Sequence, residues 1–65
     1  MNITINGENR DVKNGITILN LLEELGLSDK PVVIELNYEI VTKENYNREL
    51  SPNDKLEIVT FVGGG

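Results

Sequence analysis

The stretch Asn14-Gly15-Ile16-Thr17-Ile18-Leu19-Asn20-Leu21-Leu22-Glu23-Glu24-Leu25-Gly26 decides the fold. Ile18, Leu21, Leu22 and Leu25 recur at i, i+3, i+4 and i+7, which lines up apolar side chains along one face of a helix. Thr17 is the natural N-cap, because its side-chain oxygen can accept from a first-turn N–H that has no partner within the helix. Ile16, just before the cap, is placed to staple onto Leu21. Gly26 stops the run in the left-handed conformation that glycine adopts without steric cost. Glu23 and Glu24 fall on the solvent side. The spacing predicts one amphipathic helix over about 18–25.

On the N-terminal side, Met1, Ile3 and Ile5 alternate with Asn2, Thr4 and Asn6. A period of two is the mark of a half-buried strand. Asn6-Gly7 follows at once and predicts a hairpin, since a type I′ turn needs positive φ at both central residues. The return strand, about 9–13, has only Val12 to bury and rests on the turn more than on itself. On the C-terminal side, Val32-Val33-Ile34-Glu35-Leu36 is β-branched and strand-like. Asn37-Tyr38-Glu39 reads as a turn into a short strand over 40–42. Residues 43–50 are polar and irregular, with Tyr46 and Leu50 as anchors. Ser51-Pro52-Asn53-Asp54 suits a type I turn, and the last strand, about 55–62, alternates Leu56, Ile58, Thr60 and Val62 against Glu57, Val59 and Phe61.

One helix against one mixed sheet of about four to five strands makes an α+β two-layer domain. Ile3, Ile5, Ile34, Leu36, Leu56 and Ile58 are its expected core partners for the helix. Strict alternation then leaves Val33, Val59 and Phe61 on the uncovered face, where an apolar patch means an interface. The competing reading is a loop folded over them, or a strand twist that hides Phe61.

The chain has 65 residues, enough for one domain that buries only about 60% of its unfolded surface. It has no cysteine, hence no disulfide staple, thiolate metal site or thiol nucleophile. The longest apolar run is three residues, far too short for a membrane span, and no signal peptide is visible, so a cytoplasmic location is expected. A net charge of −5, with the basic residues scattered, argues against nucleic acid. The same acidity favours either plain solubility or steering toward a partner with a basic face.

The residues for catalysis are missing. There is no histidine to serve Ser28 or Ser51 as a base. Glu23 and Glu24 are neighbours in sequence and so do not face each other on a helix. No glycine-rich loop joins a strand to a helix, and no cluster of metal ligands has suitable spacing, so neither a bound cofactor nor a metal is expected. What remains is Gly63-Gly64-Gly65, directly after an apolar strand. Three glycines pack nothing and cost ordering entropy, yet they reach up to about 10 Å and can enter a site too narrow for a Cβ. On composition alone the tail reads equally well as a linker or a ragged end.

The sequence resembles the ThiS family along nearly its whole length. The likeness is carried by Met1-Asn2-Ile3, Asn6-Gly7-Glu8, Leu21-Leu22-Glu23-Glu24-Leu25-Gly26-Leu27, Val33-Ile34-Glu35-Leu36-Asn37 and Glu39-Ile40-Val41. Most specific is the run from Asp54 to Gly65. The sequence departs from the family at Tyr38, where glycine is frequent, and at Asn53-Asp54, where Gly-Asp is frequent. The resemblance implies a β-grasp, ubiquitin-like domain over 1–62 with a flexible tail over 63–65. It implies a sulfur carrier of thiamine biosynthesis, itself no enzyme. It further implies that an E1-like, ATP-using partner (ThiF) adenylates Gly65, which then becomes a thiocarboxylate, that thiazole synthase (ThiG) takes the sulfur, and that a cysteine desulfurase stands further back as the source. Carried over by position, Gly64 and Gly63 are expected to give the tail its access. On the patch argument, Val59, Phe61 and Val33, with Val62, are expected to form the partner interface. The alternatives are a carrier like the small subunit of molybdopterin synthase, a ubiquitin-like modifier, and a β-grasp interaction module whose tail is inert.

Overall fold

A computed structural model describes residues 1–61. Five strands and one helix follow in order: β1 (Asn2–Ile5), β2 (Glu8–Asp11), α1 (Ile18–Glu24), β3 (Val32–Leu36), β4 (Glu39–Val41) and β5 (Lys55–Thr60), with a single 3₁₀ turn, Lys43–Asn45, before β5. The sheet order is β2-β1-β5-β3-β4. Among the described residues only β1 and β5 run parallel, with Thr4 opposite Lys55 and Ile5 opposite Leu56. The expected α+β arrangement is the observed one, and it sets β1 beside β5.

The helix forms where its signals lie. Thr17 Oγ1 accepts from the Asn20 N–H at 3.1 Å, and the Asn20 side chain reaches back to the Thr17 N–H at 3.5 Å, closing a capping box. The Ile18 and Leu19 N–H groups donate to the carbonyls of Arg48 and Tyr46 at 3.2 and 2.8 Å. The irregular segment after β4 thus satisfies first-turn donors that no intrahelical carbonyl can reach. At the far end Gly26 has φ 73°, its N–H bonds the Glu23 carbonyl, and the Leu27 N–H bonds the Leu22 carbonyl. That is the Schellman closure, made possible by a residue without a Cβ.

Ile18, Leu21 and Leu22 bury the helix face against Ile3, Ile34, Leu36, Leu56 and Ile58, and Ile16, Val12, Val41 and Leu50 seal the margins. Ile5 is only partly buried, and Tyr46 packs half-buried against this core. Among the described residues every buried side-chain polar atom has a partner.

Several boundaries and turns differ from the sequence reading: the helix, read as about 18–25, ends at Glu24 with Leu25 as its C-cap, and the strand read as 40–42 is Glu39–Val41. The second strand is Glu8–Asp11, not 9–13: Asn6 and Gly7 take φ 51° and 84° and form a two-residue turn, so Glu8 already pairs with Ile5. Val12 follows the strand as a buried residue whose N–H donates to the Met1 carbonyl at 2.8 Å. The β3–β4 turn likewise uses only Asn37 and Tyr38, both left-handed, so Glu39 joins the strand opposite Leu36. In Ser51-Pro52-Asn53-Asp54 the Asp54 N–H does bond the Ser51 carbonyl at 3.2 Å, but Asn53 has φ 67°. A positive φ at the third position belongs to a type II turn, not type I, and asparagine tolerates it. Finally β5 ends at Thr60, and Val62, which the reading placed in this strand, lies outside the described residues.

Candidate functional site

The residue types that carry chemistry are sparse, so the site is built from a strand and its supports. β5 lies in the middle of the sheet and leads directly toward the glycines. It is braced from both sides by asparagine side chains. On the β1 side, Asn6 donates from Nδ2 to the Ile58 carbonyl at 3.1 Å and accepts from the Ile58 N–H on Oδ1 at 2.7 Å. One side-chain amide thereby takes the place of a strand's peptide group just where β1 turns away. On the β3 side, Asn37 Oδ1 accepts from the Lys55 N–H at 2.9 Å, while its Nδ2 donates to Asp54 Oδ1 at 3.0 Å. Asp54 Oδ2 in turn accepts from the Ser51 N–H at 2.7 Å. Both braces follow from asparagine in a left-handed turn, a conformation in which its short amide side chain can fold against neighbouring backbone.

Val33 and Val59 sit directly opposite each other on the face that the helix leaves open. They are 37% and 53% exposed, and Phe61, 58% exposed, continues the row at the end of β5. The Phe61 N–H still reaches the Pro31 carbonyl at 3.3 Å, which holds this aromatic residue close to the sheet. The expected patch therefore exists as an exposed surface, and among the described residues no loop folds over it. Val62, Gly63, Gly64 and Gly65 lie outside the described residues.

Several neighbours of the patch were not singled out from the sequence. Glu35 and Glu57 face each other across β3 and β5 on the same open face. Next to them, Lys55 Nζ lies 5.7 Å from the centre of the Tyr38 ring and donates to its hydroxyl at 3.4 Å. Beyond Val33, an open groove of about 680 Å³ runs between the helix and the β4 edge, with Leu19, Leu27, Ile40 and Tyr46 in its walls. Leu19 and Ile40 are exposed apolar residues, 43% and 61%. Alternation hints at Ile40, because it stands opposite Glu35, an outer-face position. Nothing local in the sequence marks the pairing of Asn6 with Ile58, whose positions are 52 apart.

Among the described residues no group of three or more His, Cys, Asp or Glu side chains is arranged to hold a metal ion. No helix among them is long and apolar enough to cross a membrane. The arrangement sets an exposed apolar row on the open face of the sheet, running to the end of β5.

Comparison with known proteins agrees with the geometry. The model of the ThiS family matches residues 3–65. The sulfur carrier protein ThiS of Bacillus subtilis is 50% identical over 50 residues, covering 75% of this chain and 76% of that protein. A thiazole synthase of Paramagnetospirillum magneticum is 46% identical over 66 aligned positions that take in all of this chain. The chain spans about a fifth (20%) of the length of that protein, and likewise of a second matching thiazole synthase from Magnetococcus marinus. Among solved structures, the crystal structure of the thiamine biosynthesis protein ThiS from Geobacter metallireducens superposes with a TM-score of 0.82. It is 30% identical, with full coverage of both chains.

Proposed function

The chain belongs to the ThiS family, and on that premise we propose that it is a sulfur carrier of thiamine biosynthesis whose reactive group is the carboxylate of Gly65. The observation that carries this reading is the family match running through residue 65, on a fold whose central strand leads toward the glycines. The chain acts as a substrate of its partners and not as a catalyst.

A carboxylate is a poor electrophile until one oxygen becomes a good leaving group. In the first step the Gly65 carboxylate attacks the α-phosphorus of ATP, bound by an E1-like enzyme, and pyrophosphate leaves. In the second a sulfide-level donor attacks the acyl carbon and AMP leaves, so that one oxygen has been exchanged for sulfur. The chain has no cysteine, so sulfur cannot ride on it as a persulfide and is held at the acyl carbon. Glycine at 63, 64 and 65 lets that carbon enter a narrow site and meet the phosphorus in line. The nucleotide belongs to the partner, in keeping with a sequence that has no phosphate-binding loop.

A thiazole synthase is the proposed sulfur acceptor. Its support is that two proteins of that name contain a segment similar to this entire chain. Val33, Val59 and Phe61 are the proposed docking face, with Val62 at the root of the tail.

The test is intact mass spectrometry after incubation with the E1-like enzyme, ATP and a sulfide donor. The expected outcome is a mass gain equal to sulfur minus oxygen. Deleting Gly65, or adding a residue after it, abolishes the gain while the fold persists, and Gly64→Val is nearly as damaging. A shortened or capped tail that still gains this mass overturns the reading.

A further inference from the structure

We propose that the edge of β5 at Thr60, on the side facing β1, is a strand-pairing site for an extended segment of the adenylating enzyme. The proposal rests on the carrier reading above, since it names the enzyme that the carrier meets.

Alternate residues of a strand aim their main-chain N–H and C=O groups to opposite sides. In β5 the odd positions face β3: the Lys55 carbonyl accepts from the Asn37 N–H at 2.8 Å, and the Phe61 N–H donates to the Pro31 carbonyl at 3.3 Å. The even positions face β1. The Asp54 and Leu56 carbonyls accept from the Thr4 and Asn6 N–H groups at 3.0 and 2.9 Å. Ile58 gives both of its groups to the Asn6 side chain. Thr60 is next in that series. By then β1 has ended and the chain has turned back into β2, and among the described residues nothing bonds the Thr60 N–H or carbonyl on that side.

Such an edge is a template for another strand. It opens where the Asn6 amide stops. Only Phe61 separates Thr60 in sequence from residues 62–65, which in the carrier reading the adenylating enzyme has to grip. A second copy of this chain fits poorly: both copies carry −5, and pairing would engage both tails at once.

The test removes the donor without removing the fold. Proline is tolerated where its missing N–H faces away from the ladder, so Thr60→Pro keeps the fold, whereas Val59→Pro, which breaks a bond to β3, does not. A synthetic chain with an ester in place of the Thr60 amide removes the same N–H and leaves the side chain intact. For both Thr60 variants the denaturation midpoint is expected to hold, while KM for tail charging rises about tenfold and kcat changes little. Should Thr60→Pro fail to fold, the ester decides alone. Charging at the parent KM by a folded Thr60 variant overturns the proposal. Failure of the unmodified protein to be charged overturns the carrier reading, and this occupant with it.

Discussion

At position 38 a bulky aromatic residue holds φ 71°, where an L side chain is strained by about 1–2 kcal/mol. Its compensation is visible in the Lys55 ammonium beside the ring and bonded to its hydroxyl. On the family resemblance glycine is the residue expected at this position, and a left-handed backbone is what glycine adopts without strain. Tyr38→Gly should accordingly be more stable than Tyr38→Ala by about 0.5–1 kcal/mol, because both lose the ring and only glycine escapes the strain. Equal denaturation midpoints for the two variants would show that residue 38 is not left-handed in solution. Asn53 tells a similar story at φ 67°, on the second of the two departures. The sequence alone did not reveal either feature, since tyrosine carries no left-handed signal and asparagine is at home in several turn types. The double hydrogen bond from Asn6 to Ile58 was equally hidden, because a side chain's partner across the sheet leaves no mark on its own neighbours.

Among the elements, the helix was the most legible. Thr17, the 3–4 spacing and Gly26 are three independent signals that agree, and each is satisfied in the structure by its expected hydrogen bond or dihedral. β2 was the least legible, because all four of its residues are exposed and only the Asn6-Gly7 turn specifies it. The open-face patch was readable from alternation alone, since a strand cannot place Val33 and Ile34 on the same side. Leu22 is 2% exposed at the middle of the helix stripe and closes the Schellman turn through its carbonyl. Leu22→Ala is expected to destabilise the domain by about 2–5 kcal/mol, a large share of what a domain this small has. An unchanged denaturation midpoint would mean that another face of the helix meets the sheet.

For the whole molecule, the two faces of the sheet have different duties. The covered face holds the apolar core, and the open face sets Val33, Val59 and Phe61 beside the Glu35–Glu57 pair. Phe61→Ser removes an aromatic anchor that is already largely in water, so its stability cost should be small, under about 1 kcal/mol. Its effect on affinity for the adenylating enzyme or thiazole synthase should be larger, about 2 kcal/mol or more, as measured by titration calorimetry. A variant that loses stability yet keeps its affinity would place Phe61 in the core.

The sheet order has a consequence for synthesis of the chain. The middle strand is the last of the five described strands to be translated, and until it arrives the β1–β2 and β3–β4 hairpins have no strand in common. A nascent chain paused before residue 55 is thus two fragments without a shared sheet, exposed to chaperones and proteases. Closure must bring β1 and β5 together across most of the sequence, which is the slow kind of contact to form. The glycines at 63–65 follow that closing strand in the sequence, so they are translated only after the strand that joins the two hairpins.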